Sequence, residues 1–534
     1  MQSKNPVKRW LNRANSRVSV STAAFLLAGS ALISSLLGLL RERLLLTNFG
    51  IGAEVDAYKV AFTVPDFMFM LLVSGALSVT FIPVFTRRLA KNNWDSAWEL
   101  TNSLLNLLAI VTGVASILII LGANWLVDYV VAPGLDPATK QLAVDMMRLI
   151  ALNPLLFAIS SMMTSVQQAV GRFFFFALAP SIYNLGIIFG IVAIAPSMGI
   201  TGVAVGVLIG SFVQLFISIL GMYGLGYKYK SIINWRHKGF RKVLSLLPAR
   251  SLDQGVDYFN ILVETNLASR LKEGAITAYQ TAFTLSMVPI SLIGVAVSTA
   301  AFPKLSERLA QNRPDLYRKE VASVLRAIVW LVLPTAIIAY FGRGYLVRLL
   351  VAEGNPTIAS LLGILVVAII FRSIFHLLTR SFYAEQDTKT PLYISIVAIA
   401  LNITLAVMLA NPNVYGIFGL ALAQSITAAF EAFVLIVVLA KRNPGMITAD
   451  FMDGLVRMIS ASGLTALVTY ISIAYVFPLK ANDVGFFALG PKFLINVAIS
   501  LSFYVYVSWL FKLRESQPVV NKLRQVIFRP VNPV

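Results

Sequence analysis

"DAYKVAFTVPDFMFMLLVSGALSVTFIPVFTRRLAKN" (56–92) and "TAYQTAFTLSMVPISLIGVAVSTAAFPKLSERLAQN" (277–312) are two versions of one pattern. Both begin A-Y-x-x-A-F-T within their first residues and close P-x-x-[ST]-x-R-L-A-x-N, with a one-residue gap between. A second echo pairs "GITGVAVG" (199–206) with "GIFGLALA" (416–423). Six helices therefore recur in the same order, and the last two lie outside the duplication. An even number of helices per unit restores the orientation, so the repeat is parallel. Parallel repeats relate two halves by an axis along the membrane normal, with a substrate site between them. Chance similarity among Ala/Gly/Phe-rich helices is the competing explanation, and the matched Tyr, Thr, Pro and Arg-Leu-Ala-x-Asn positions weigh against it.

The remaining chain fits that frame. Of 534 residues 58% are hydrophobic and only 13% charged, against roughly a quarter charged in a soluble domain. Mean hydropathy is +0.79. Apolar runs of about 20 residues recur throughout, each long enough to cross a hydrocarbon core. The expected fold is an all-α polytopic membrane protein of about fourteen helices, from a first span over 21–49 to a last over 488–511. Residues 1–20 form a basic lead-in to an uncleaved first span, and 21–224 hold helices 1–6. A basic linker occupies 225–243, and helices 7–12 fill 244–440. Helices 13–14 take 441–511, followed by a basic tail, 512–534. The net charge of +20 sits mostly in loops on the side of the N-terminus, which places both termini in the cytoplasm by the positive-inside rule. That distribution removes the nucleic-acid reading of a basic chain.

Several function classes are excluded or weakened. There is no cysteine and only two histidines, His237 and His376, neither in metal-ligand spacing. No phosphate loop, metal cluster or catalytic triad is visible, and no external loop is long enough to build the active site of a polytopic glycosyltransferase or ligase. Transport remains.

Charges inside the apolar runs mark candidate sites. "SSLLGLLRERLLLTNFG" (34–50) carries Arg41, Glu42 and Arg43. Helical phase puts Arg41 on a stripe with Ser30, Ser34 and Gly38, and turns Arg43 about 200° away. Asp56, Lys59, Thr63 and Asp66 share one quarter of span 2, and Thr277, Gln280 and Thr284 hold the equivalent repeat positions. In span 7, Arg250, Asp253, Asp257 and Glu264 cluster. Two readings stay open for these stripes: a hydrated cavity between bundles, or buried ion pairs such as Arg250 with Asp253. Arg148, Arg326, Arg372 and Glu431 stand alone, fit either to snorkel or pair structurally or to touch substrate. The four phenylalanines of "GRFFFFALAP" surround their helix and read as packing.

"LLGLLRERLLLTNFGIGAEVDAYKVAFTVPDF" resembles the first two helices of the MurJ/MviN lipid II flippases, within the multidrug/oligosaccharidyl-lipid/polysaccharide exporter superfamily. "IGVAVSTAAFPKLS" is similar to that family's eighth helix, and "RSFYAEQDTKTPLYIS" to its F-Y-A-x-x-[DN]-x-K-T-P signature. The resemblance implies two bundles rocking around a cationic cavity that takes the diphosphate and sugars of lipid II, a polyprenyl-linked glycolipid. It further implies that the terminal helix pair grooves the lipid tail, in a bacterial cytoplasmic membrane and beside cell-wall enzymes. Arg41, Glu42 and Asp56 occupy matching family positions. Ser35, Phe69 and Thr284 stand where the family carries arginines, and Ser74 where it carries an acid. Lys59 and Arg250 are candidates to restore positive charge. The family's cation site maps to Asp253 or Asp257 and Asn402, with Ala406 in place of a carboxylate. Na+ or H+ is therefore a candidate coupling ion, and the membrane potential the energy source. Alternatives are a flippase for another polyprenyl-linked oligosaccharide, a drug/cation antiporter of the same superfamily, and a non-transporting cell-wall scaffold.

Overall fold

The computed structural model describes residues 14–15, 20–74, 80–480, 483 and 485–527. Regular structure is helical, with no strand among the described residues. The chain divides into two compact units, Met1–Thr277 and Ala278–Val534. The first holds α1 (Val20–Phe49), α2 (Ala53–Phe69), α3 (Ile82–Leu89), α4 (Trp94–Trp125), α5 (Pro137–Ile150), α6 (Asn153–Ala169), α7 (Phe174–Phe189), α8 (Ile200–Leu220) and α9 (Lys238–Ser269). The helix α10 (Ala275–Pro289) starts on this unit's last residues. The second unit continues with α11 (Ala296–Ala310), α12 (Pro314–Phe341), α13 (Arg343–Leu350), α14 (Pro356–Ala384), α15 (Lys389–Leu409) and α16 (Ile417–Arg442). It ends with α17 (Ala449–Ile471), α18 (Phe486–Leu510) and α19 (Gln517–Ile527).

Among the described residues eleven helical segments are long and apolar enough to cross a membrane, by length and composition. The segments over α1, α2–α3 and α9 are not in that set, so this criterion gives eleven where the sequence reading gave about fourteen. Single π-helical turns carry the chain from α4 to Val131 and from α10 into α11. Such turns relax the 3.6-residue register without breaking the helix.

The sequence repeat reappears as matched local geometry inside each unit. Asn92 (φ 54°) and Asn312 (φ 53°), the last residues of the two R-L-A-x-N motifs, both adopt the left-handed conformation. In each, the asparagine N–H returns to the leucine carbonyl three residues back, at 2.9 and 3.0 Å. Asparagine is among the few side chains that tolerate that region. Gly199 (φ 58°) and Gly416 (φ 54°) likewise open the two echoed helices. Three residues on, a Cβ on Gly202 would lie 2.8 Å from the Ala195 nitrogen, and one on Gly419 2.2 Å from the Leu409 carbonyl carbon. Those glycines let each helix start pack against the end of the preceding one. The same device joins α7 to α8, where a Cβ on Gly206 would sit 2.4 Å from the Cα of Gly190.

The linker expected over 225–243 is fastened to α4 as an extended strap. Ser96, Glu99, Asn102, Ser103 and Asn106 fall three or four residues apart, hence on one face of α4. Asn102 accepts from the Tyr227 hydroxyl at 2.7 Å, and Asn106 donates to the carbonyls of Lys230 and Ile232, both at 2.9 Å. Ser103 accepts from the Asn234 N–H at 3.0 Å. His237 closes the strap. Its Nδ1 accepts from the Phe240 N–H at 3.2 Å, capping α9, while its Nε2 lies 2.9 Å from the Ser96 hydroxyl. Ser96 also accepts from Arg88 Nε at 3.1 Å.

Burial first, then the Arg88 cation, lowers the His237 pKa below its ordinary value. The unfolded chain therefore binds this proton more readily than the folded one. The stabilising contribution is complete above about pH 6.5 and is lost as pH falls through that value toward the folded-state pKa. We expect the wild type, taken from about pH 7.5 to 5.5, to lose thermal stability that His237→Asn, a cap that does not titrate, retains. Parallel melting profiles for the two proteins would contradict this.

Candidate functional site

In the first unit the expected stripe on α1 faces α7, and one residue there receives most of it. Asn184 Oδ1 accepts from Arg41 Nη1 at 3.2 Å. Its Nδ2 donates to the Ser34 hydroxyl at 3.3 Å and to the Pro180 carbonyl at 3.1 Å. Gly38 lies on the same face, a Cβ there standing 4.0 Å from Asn184 Oδ1, an ordinary contact distance. The Ser30 hydroxyl donates to the Ala177 carbonyl, about two turns before Asn184 on α7. Asn184 thus fixes the fork of Arg41 while taking up one of its five N–H donors. Sequence reading passed over this residue, a lone amide in the apolar run "SIYNLGIIFG". Its only signal was a position opposite a polar stripe on another helix.

The acidic candidates separate into two arrangements. Glu42 pairs with Lys59 at 2.7 Å, and the side chains are only 10% and 8% exposed. Lys59 therefore neutralises the acid beside Arg41. Asp56, 1% exposed, accepts from the Gly274 N–H at 2.8 Å, the Thr277 N–H at 2.7 Å and the Thr277 hydroxyl at 2.6 Å. In the reverse direction the Ala53 N–H donates to Glu273 at 3.0 Å. Asp56 consequently works here as the cap of α10, tying its first turn to the start of α2. Arg41 has Tyr58, Glu42, Tyr183 and Asp66 as its electrostatic neighbours. Asp66 is half-buried and makes no hydrogen bond or ion pair among the described residues, with Arg41 as its cationic neighbour. The corner between α1, α2 and α7 thus contains an incompletely used guanidinium, an incompletely used carboxylate and two tyrosines.

Other candidates are placed as follows. The side chains of Arg250, Asp253 and Ser74 lie outside the described residues. Asp257 is exposed on α9, beside Tyr258. Ser35 is exposed, and Phe69 packs edge-on to Phe157 at 5.6 Å. In the second unit the Thr284 hydroxyl turns back to the Gln280 carbonyl at 2.8 Å. Asn402, 2% exposed, has its Oδ1 without a hydrogen-bond partner, as does the buried hydroxyl of Thr427 on the adjoining α16. No cluster of three or more His, Cys, Asp or Glu able to hold a metal occurs among the described residues.

Two of the isolated charges are structural. Arg326 meets Glu515 at 2.6 Å and Asp450 at 3.2 Å, clamping α12 to α17 and to the start of the tail. Glu431 accepts from Ser395 at 2.7 Å, tying α16 to α15. The F-Y-A-x-x-D-x-K-T-P segment is a turn lock. Asp387 accepts from the N–H groups of Lys389 and Thr390, from the Thr390 hydroxyl at 2.6 Å and from Arg442 at 2.6 Å. The Thr390 hydroxyl, with Arg442 assisting, holds its carboxyl well below the usual carboxylate range.

Residues 45–490 match the family model described as "Lipid II flippase MurJ". The chain is 27% identical over 457 residues to a lipid II flippase MurJ of Burkholderia cenocepacia, covering 82% of this chain and 87% of that one. It is 27% identical over 498 residues to a probable lipid II flippase MurJ of Thermotoga maritima, covering 92% and 96%. Among solved structures, the lipid II flippase MurJ in an inward closed conformation superposes with a TM-score of 0.77 at 24% identity, covering 91% of this chain and 98% of that one. An inward-facing multidrug resistance MATE transporter gives 0.65 at 14% identity, covering 77% and 95%. These structural likenesses establish a shared fold.

The Glu42–Lys59 pair generates a prediction. Removing one partner of a buried pair leaves the other charge uncompensated, at a cost of about 3–5 kcal/mol, whereas replacing both is far milder. Glu42→Gln and Lys59→Met should each lower the melting temperature of the purified protein sharply, and the double variant should recover most of the loss. Additive losses would show that the two charges do not depend on each other.

Proposed function

Because the chain belongs to the MurJ lipid II flippase family, we propose that Arg41, oriented by Asn184, anchors the diphosphate of lipid II while the headgroup passes between leaflets. The protein is a multi-pass transporter of the bacterial inner membrane, not an enzyme, and its substrate is lipid II. The single observation that carries the anchoring role is the state of Arg41. It is half-buried in an apolar helix, fixed through one N–H, and keeps its other donors available. A planar fork of that kind matches phosphate oxygens and stays charged at any physiological pH.

The buried charges nearby set what the site can do. Glu42 is an electrostatic neighbour of Arg41, but its carboxylate is hydrogen-bonded to Lys59 at 2.7 Å. Asp66 supplies the counter-charge that an empty site needs and that an arriving diphosphate replaces. Transfer of an anionic headgroup outward runs down an inside-negative membrane potential, worth about 2.3 kcal/mol per charge per 100 mV. Both termini lie in the cytoplasm on this reading, as the Lys/Arg-rich loops favour. Na+ or H+ is the candidate coupling ion, and the unpartnered Oδ1 of Asn402 on α15 is one oxygen available to it. Helices beyond the eleven apolar segments complete about fourteen spans, and helices 13 and 14, here α17 and α18, take the polyprenyl tail.

Substrate identity is tested by expression in cells depleted of their own lipid II flippase, with lipid II measured in each leaflet. Growth should be restored and the inner-leaflet excess abolished. A protein that reaches the membrane yet leaves lipid II accumulating in the inner leaflet would refute the reading.

A further inference from the structure

The second unit contains three basic side chains that the packing does not explain. Arg372, His376 and Arg380 stand at i, i+4 and i+8 on α14. That spacing drifts only about 80° around the helix while advancing roughly 12 Å. They form one stripe, each residue half-buried. Arg372 Nη2 donates to Gln424 on α16 at 2.9 Å, while its Nε is buried without a partner. His376 and Arg380 make no hydrogen bond, and none of the three makes an ion pair among the described residues. The charged neighbours of His376 are the two arginines themselves.

Other basic groups of this unit are handled differently. Arg326 is held between Glu515 and Asp450, and Arg442 by Asp387 at 2.6 Å. Arg318 and Arg348, nearer helix ends, are held by the carbonyls of Pro444 and Lys480. Snorkelling accounts for Arg380, four residues from the end of α14, but not for Arg372, which lies twelve residues, about 18 Å, from that end. A cation at the depth of Arg372, with its Nε buried and no acid among the described residues, is costly, and a mobile anion is the partner that would relieve it.

We propose that Arg380, His376 and Arg372 form a phosphate-binding track along α14, which receives a diphosphate at the end of the helix near Ala384 and passes it toward the helix middle. The inference rests on the flippase reading and adds to it a binding site in the second unit. Each arginine offers a fork of N–H donors and His376 a ring N–H, so oxygens of a diphosphate can exchange one donor for the next. The Gln424 contact holds Arg372 in place as the last station.

The test is binding of undecaprenyl diphosphate to the purified full-length protein, read by its effect on melting temperature and by titration, with inorganic pyrophosphate and phosphatidylglycerol as parallel probes. Loss of a hydrogen bond to a charged group weakens binding by roughly ten- to a hundredfold. Arg372→Gln and Arg380→Gln should each weaken undecaprenyl diphosphate binding by about tenfold or more, and His376→Gln by less. Arg372→Lys and Arg380→Lys keep the charge but lose the fork, so intermediate affinity is expected, and these serve if a glutamine variant does not fold. Competition by pyrophosphate would assign the track to the diphosphate itself. Displacement by phosphatidylglycerol alone would overturn the assignment to a diphosphate and give the stripe to bilayer headgroups. Wild-type affinity in a folded Arg372→Gln/Arg380→Gln double variant that still depends on Arg41 would overturn the track and leave the flippase reading intact. A wild-type protein that binds no diphosphate lipid would overturn both.

Discussion

A guanidinium inside an apolar helix must receive acceptors from the protein, because the surrounding hydrocarbon offers none. Around Arg41 this constraint organises the first unit. Asn184 supplies a neutral acceptor that fixes the fork without cancelling its charge. A carboxylate in that place would form a closed ion pair and leave an incoming phosphate to compete with it. The acid that does lie next to Arg41 in sequence, Glu42, is taken up by Lys59 one helix away. The result is a cation that is stably housed and still chemically available.

The same economy of charge separates structural from functional residues elsewhere. Asp56 uses its carboxylate on the first turn of α10, and Asp387 uses its own on the first turn of α15 and on Arg442. Arg326 is enclosed by two acids. Against that background, Asp66 near Arg41 makes no hydrogen bond or ion pair among the described residues, and the stripe Arg372–His376–Arg380 makes no ion pair there, Arg372 being held by the neutral Gln424.

Much of the architecture was legible in the sequence because it depends on local backbone rules. The left-handed asparagines at 92 and 312 and the left-handed glycines at 199 and 416 recur where the sequence repeats, since few residue types adopt that conformation. Arg41 and its serine stripe could be read from helical phase alone. Pairings between helices could not. Asn184 is one amide in an apolar run, and nothing in its own segment announces the Arg41 contact. Periodicity put Lys59 on a polar stripe without saying that Glu42 would neutralise it. The strap over 225–237 reads as an unremarkable basic linker until the polar face of α4 is placed beside it. Thr427 is missed for the same reason: its lack of a partner is a property of packing, not of pattern. The count of spans also depends on context, because charged residues such as Asp257 and Glu264 keep α9 out of the strictly apolar set.

The account's central claim is that Arg41 acts as an available cation rather than as a packing element. The most direct measurement is the initial rate of lipid II transfer between leaflets of vesicles containing purified protein, comparing wild type, Arg41→Lys and Arg41→Ala. Arg41→Ala should reduce the rate at least tenfold with little change in melting temperature, and Arg41→Lys should retain part of it. Transfer by Arg41→Ala at the wild-type rate would contradict the account.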